Sequence, residues 1–197
     1  MSILENLNER LQIIDGEPRR GGEAIVQQVT ETSPIPLPQD YVEFLKEISG
    51  TTDDEEECYG PEFGVRAPDS TDNDYEGSIW IFSAQAALNT YTEYKIDAAP
   101  LYDDVIDKIW LIGNDLGDLL YFYSQGKDGF GIYREEAGSL GLDHAEKIAD
   151  TLTDFLVEGT GIDTAITLYP LPPLSPKKEK QAQSTCSSTT SYSCTPC

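Results

Sequence analysis

The chain reads as an α+β domain, and three observations predict that class. Apolar residues recur at helical spacing near the start. A run of strand-like segments separated by glycine-containing turns fills the middle. A helical pattern returns at the end. Helices and strands that are segregated in this way, with short turns between strands, build an antiparallel sheet packed by helices and not a doubly wound parallel one.

Taken in order, Ile3, Leu4, Leu7, Leu11 and Ile14 fall on one face of an amphipathic helix, which Gly16, Pro18, Gly21 and Gly22 end. Glu23 to Thr32 fits a helix or a strand equally well. Pro34, Pro36 and Pro38 hold the next stretch extended. Tyr41, Phe44, Leu45 and Ile48 then share a face, predicting a helix over Pro38 to Ser49 that stops at Gly50. Glu62 to Arg66 and Ser78 to Phe82 are strand candidates. Ser83 is placed to cap a helix over Ala84 to Lys95. Asp107 to Gly113, Leu119 to Ser124 and Phe130 to Arg134 form a meander through the turns NDLGD and GKDG. In Leu119 to Ser124, Tyr121 and Tyr123 alternate with Phe122, so one set should face the core and the other should face outward, either as a binding face or beneath a helix. Trp80 and Trp110 are expected on the sheet as well. Ile148, Leu152, Phe155 and Leu156 predict a last helix over His144 to Glu158.

The texture changes from Pro170. A Pro- and Lys-rich stretch over residues 170–183 has linker composition, and residues 184–197 are rich in Ser, Thr and Cys. The expected organisation is a folded body over 1–169, a linker and a tail that cannot bury enough apolar surface to fold by itself.

Charge is the dominant global property. The 197 residues hold 36 Asp and Glu against 13 Lys and Arg, a formal net charge of -23. Three of the lysines (Lys177, Lys178, Lys180) lie in the linker, so the body is more acidic still. Such a body repels phosphate backbones, which argues against direct nucleic-acid binding. It attracts basic proteins and speeds encounter with them. Asp53, Asp54, Glu55, Glu56 and Glu57 form the densest acidic run. With Asp69, Asp72, Asp74 and Glu76 they could make one partner-binding rim, or simply solvated loops. Their spacing lacks the alternation of a Ca²⁺ loop.

No catalytic constellation stands out, so the chain is not expected to be an enzyme. Asn114, Asp115 and Asp118 have the composition of a tight turn. His144 is the only histidine and has no nucleophile in a triad context. No cofactor loop or metal-ligand spacing is present. Met1 to Ile14 lacks the apolar core of a signal peptide, and no run approaches a membrane span in length. Cytoplasm is the expected compartment.

Several stretches, in order, resemble the SUKH superfamily of yeast Smi/Knr cell-wall regulators and bacterial immunity proteins. These are PLPQDYVEFLKEISG (Pro36 to Gly50), YEGSIWIFSAQAAL (Tyr75 to Leu88), IWLIGNDLGDLLYFY (Ile109 to Tyr123), GFGIYREEAG (Gly129 to Gly138) and KIADTLTDFLVEG (Lys147 to Gly159). Relatives often carry a second glycine where Leu116 stands. The resemblance implies a compact α+β protein-binding module, and many bacterial relatives neutralise a toxin. A basic toxin would suit the acidic body.

The last fourteen residues, STCSSTTSYSCTPC, resemble the core of a lanthipeptide precursor. Ser184, Thr185, Ser187, Ser188, Thr189, Thr190, Ser191, Ser193 and Thr195 are interleaved with Cys186, Cys194 and Cys197. In that alternative a modifying dehydratase and cyclase act on the tail, and the folded body is the leader they grip. A plain disordered or disulfide-forming tail is the competing reading.

Overall fold

The computed structural model describes residues 2–50, 59–68, 74–97, 104–115 and 117–166. The compact unit they belong to runs Met1–Thr167. Its centre is a seven-stranded, wholly antiparallel sheet in which every strand pairs with its sequence neighbour. The strands are β1 (Leu11–Asp15), β2 (Glu62–Arg66), β3 (Tyr75–Ile81), β4 (Ile109–Asn114), β5 (Leu119–Gly126), β6 (Gly129–Glu136) and β7 (Glu146–Ala149). The helices are α1 (Glu23–Thr32), α2 (Gln39–Ile48), α3 (Ala84–Asp97), α4 (Leu152–Leu156) and α5 (Ile162–Ile166). The expected α+β class and the antiparallel meander are both present.

Two halves of the sheet meet at a narrow junction. Two register pairs, Trp80↔Asn114 and Ile81↔Gly113, join β3 to β4, and the Phe82 N–H just beyond β3 donates to the Ile112 carbonyl. Gly113 is required there, because a Cβ on it would stand 2.1 Å from the Trp80 carbonyl oxygen. The sheet curls around α5, which touches both halves. Ile166 packs on Gly77 of β3, and Gly161 just before α5 packs on the Ile148 carbonyl of β7. The Tyr121 hydroxyl of β5 donates to the Ala165 carbonyl at 3.0 Å.

The helices fill the face that carries Trp110, Tyr121 and Tyr123. Trp110 Nε1 donates to the Tyr41 hydroxyl of α2 at 3.2 Å, and Tyr91 of α3 packs on the same indole. Tyr41 packs on Tyr123, and Phe155 of α4 meets Tyr121 edge-on. Ser83 caps α3 as expected: its hydroxyl accepts from Ala86 N–H, and Ser49 at the end of α2 accepts from Ala84 N–H.

Four expectations change. Glu23 to Thr32, open between helix and strand, is α1. The amphipathic helix predicted over Ile3 to Ile14 is instead a 3₁₀ turn (Leu4–Asn6) followed by β1. Asn8 diverts the chain between them. Its side-chain oxygen accepts from Arg10 N–H and its own N–H donates to the Leu156 carbonyl, so the backbone turns and then satisfies itself on β2. The helix predicted over His144 to Glu158 divides into β7 and α4. Thr151 starts α4 by accepting from Asp154 N–H at 3.0 Å, and His144 lies exposed in the turn before β7. Ile148, Leu152, Phe155 and Leu156 are all buried as expected, but on two backbones. Finally, no tyrosine of β5 forms an exposed face. Tyr121, Phe122 and Tyr123 are each 0 % exposed, because this central strand is covered on both sides.

Candidate protein-binding face

β1, β2 and β3 form the half of the sheet whose outer face stays accessible. Alternation along β3 puts Ile79 and Ile81 in the core, both fully buried, and turns Ser78 and Trp80 outward. On β2, Phe63 and Val65 point inward, and Glu62 and Gly64 point outward. The Tyr75 ring lies over Gly64, where a Cβ would collide with it, and its hydroxyl donates to Gln12 Oε1 of β1 at 3.0 Å. Arg66 also donates to Gln12 Oε1.

At the other end of this face Trp80 is half-buried. Its Nε1 donates to the Gly60 carbonyl at 2.7 Å, which leaves the ring face free to pack. Tyr59 packs against it with ring centroids 5.7 Å apart, and Tyr59 is itself 55 % exposed. Glu62 is the direct cross-strand partner of Trp80. Gly60 makes this corner possible. Its φ of 103° and its approach to the Ile81 carbonyl, 2.3 Å from where a Cβ would be, leave no room for another residue.

The acidic segments singled out in the sequence flank β2 along the chain. Residues 53–57 run into Tyr59 and so into the start of β2. Asp69 and Asp72 follow its end, on the connection to β3. The two attachment points are therefore about 13 Å apart, at opposite ends of one five-residue strand. Asp53, Asp54, Glu55, Glu56, Glu57, Asp69 and Asp72 lie outside the described residues. Asp74 is exposed at the entry to β3. Glu76 stands 3.8 Å from Arg10, which makes its closer pair with Asp163 at 2.7 Å. Cys58 and residues 184–197, with Cys186, Cys194 and Cys197, are likewise outside the described residues.

The surplus carboxylates dominate the charge of the body. Arg10, Arg19, Arg20, Lys46, Lys95, Arg134 and Lys147 each stand within 4 Å of an acidic side chain. These are most of the body's basic residues, and their charge is already spent inside the molecule. The exposed pairs among them, such as Arg20 with Glu5 and Lys95 with Asp107, add little stability. Their effect is to leave the surplus carboxylates as the charge a partner meets.

The turn residues considered for chemistry are occupied structurally. Asp115 Oδ1 accepts from the N–H groups of Gly117 and Leu119 at 2.8 and 3.1 Å, which shapes the β4–β5 turn. Beside β7 a hollow is lined by Lys147, Ile148, Ala149, Asp150, Asp154 and Thr160. Its charged groups are committed: Lys147 to Asp150 and the Asp128 carbonyl, Asp154 to Thr151. Among the described residues no group of three or more His, Cys, Asp or Glu is placed to hold a metal ion. None of their helices is long and apolar enough to cross a membrane.

Sequence reasoning named Trp80 and the acidic residues but missed Tyr59 and Tyr75. The available signal was positional: each tyrosine closely follows acidic residues, Tyr59 one residue beyond 53–57 and Tyr75 directly after Asp74.

Comparison with curated protein sequences found no match. A family model described as SMI1 / KNR4 family (SUKH-1) matches residues 22–158, leaving β1 and α5 outside the matched span. That span covers well over half of the chain and every element from α1 to α4, and the chain belongs to the SMI1 / KNR4 family (SUKH-1).

Proposed function

We propose that this domain is a non-enzymatic binding module that captures a basic protein, in the manner of an immunity protein neutralising a toxin. At the level of the family, the domain is a protein-interaction or immunity-type module. The observation that carries the finer reading is the charge imbalance: a net charge of -23, with most basic side chains of the body already paired to its own carboxylates. Unbalanced negative potential steers a basic partner and repels nucleic acid. In this reading the acidic residues Asp53 to Glu57 and Asp69 to Glu76, which precede and follow β2 in the sequence, act first in that encounter.

The test is kinetic. Replacing Asp53, Asp54, Asp69 and Asp72 by Asn, and Glu55, Glu56 and Glu57 by Gln, slows association with a confirmed partner and flattens its salt dependence, while dissociation changes less. Unchanged association kinetics at low salt would remove these residues from the mechanism.

A second reading rests on the last fourteen residues. Nine are Ser or Thr and three are Cys, the composition of a peptide that is dehydrated and closed into thioether rings. There the domain is the part gripped by a dehydratase and cyclase, and the tail is the product.

A further inference from the structure

Arginine recognition needs a flat aromatic face, a carboxylate beside it and partial shelter from water. The outer face of β1–β3 supplies all three at one corner. Trp80 is half-buried, so its ring is held and partly desolvated. Tyr59 packs at 51° to it and forms a second wall. Glu62 faces Trp80 directly across the β2–β3 ladder, which places the two Cβ atoms about 5 Å apart. Among the described residues the Glu62 carboxylate has no hydrogen-bond or ion-pair partner. The Trp80 N–H is already committed to Gly60 O, so the indole offers its π-face and not its donor. The corner is thus an aromatic pair beside a carboxylate, the anatomy of an interface anchor point.

We infer that this corner is the anchor of the protein-binding surface, and that it receives an arginine side chain of a basic partner protein. The guanidinium lies on the Trp80 ring, bordered by Tyr59, and pairs with the Glu62 carboxylate. This rests on the proposal that the partner is basic, and it adds where the partner is anchored and by which residue type. Lysine is the poorer fit. Its ammonium is more strongly hydrated and cannot stack as a plane.

Nona-arginine and nona-lysine peptides separate the anchor from the surrounding charge, because both carry the same charge. At physiological salt the full-length protein binds nona-arginine about fivefold more tightly than nona-lysine, as stacking on an aromatic predicts. Tyr59→Ala, Glu62→Gln and Trp80→Leu each shrink that preference, and Trp80→Leu abolishes it. Tyr59→Ala and Glu62→Gln sit at exposed or half-exposed positions, so they remain informative if Trp80→Leu fails to fold. Glu93→Gln on α3 weakens both peptides slightly and keeps the preference. Equal affinity for the two peptides, or a preference that survives Tyr59→Ala and Glu62→Gln, overturns the anchor and leaves the electrostatic reading standing. Binding of neither peptide at low salt overturns both.

Discussion

Asp40, in the first turn of α2, accepts hydrogen bonds from both the backbone N–H and the hydroxyl of Thr153, at 2.8 and 3.0 Å, across 113 residues of sequence. One carboxylate thereby caps a second helix, and its other oxygen accepts from the N–H of Tyr41. Thr151 and Asp154 close the same turn reciprocally. A five-residue helix has no stability of its own. α4 exists because these caps satisfy its first N–H groups and because Leu152, Phe155 and Leu156 are buried.

Asp40→Ala should therefore destabilise the domain by about 2 kcal/mol, the loss of a cap with charged hydrogen bonds. Urea unfolding of the variant gives the value. Asp40→Asn keeps one acceptor and should cost roughly half as much. A loss under 0.5 kcal/mol for Asp40→Ala would show that α4 is held by packing alone.

The alkaline limb of stability should be steep. Burial pushes the hydroxyls of Tyr41, Tyr121 and Tyr123 well above the ordinary tyrosine range. The charge of Asp115 adds to the effect at Tyr121 and that of Asp40 at Tyr123. A raised pKa in the folded state means that the unfolded chain gives up these protons first. Stability is then complete below the unfolded value, about pH 10, and falls as pH rises above it. Each such tyrosine contributes a slope of about 1.4 kcal/mol per pH unit there. Tyr121→Phe gives up one hydrogen bond at neutral pH and should make the decline between pH 10 and 11 shallower by about that amount. An identical decline in wild type and variant would mean that Tyr121 ionises freely in the folded protein.

Gly113 tests the junction between the two halves of the sheet. It is the first glycine of the IGNDLGD stretch, and its requirement is steric: an added methyl meets the Trp80 carbonyl. Backbone cannot move aside as a side chain can, so Gly113→Ala should cost at least about 3 kcal/mol and lower expression of folded protein. Gly138→Ala is the control, since nothing lies within 4 Å of that position. Similar thermal midpoints for the two variants would mean that β3 and β4 can separate without cost.

Legibility followed the length and isolation of each pattern. β5 and β6 were plain in the sequence because eight-residue strands joined by Lys127 and Asp128 leave no other period to fit. α2 was plain because Tyr41, Phe44, Leu45 and Ile48 repeat over a ten-residue helix that ends at glycine. The two chain ends were misread for one reason. Leu4, Leu7 and Leu11, like Ile148, Leu152 and Phe155, fit a helical period, but β1 and β7 are the short edge strands of the sheet. Their backbones are decided by pairing with β2 and β6, which local spacing does not carry. The tyrosines of β5 lie beneath helices, one of the two placements that the sequence left open. Alternation assigns two faces but does not say that both are covered. The corner of Tyr59, Glu62 and Trp80 needs the β2–β3 register and the turn at Gly60, and neither is written in the spacing of those residues.

The last prediction concerns the tail, and it separates the two readings of function. Cys186, Cys194 and Cys197 lie within twelve residues of a chain that otherwise has only Cys58, and they alternate with hydroxyl residues. In a reducing compartment such thiols stay free and do not become structural bridges. An enzyme that removes water from Ser or Thr creates an alkene, and a cysteine thiolate adding to it closes a thioether with no further change in mass. In a host that also makes such a dehydratase and cyclase, the intact protein should then be lighter by one water for each modified residue among Ser184, Thr185, Ser187 to Ser191, Ser193 and Thr195. The three tail thiols should resist alkylation while Cys58, in denaturant, does not. Intact-mass spectrometry before and after alkylation reads both quantities. An unmodified mass with three alkylatable tail cysteines would remove the precursor reading and leave the binding module. A dehydrated mass would instead assign the acidic domain a partner in the modifying enzyme, whose basic surface the Tyr59, Glu62 and Trp80 corner would then be tested against.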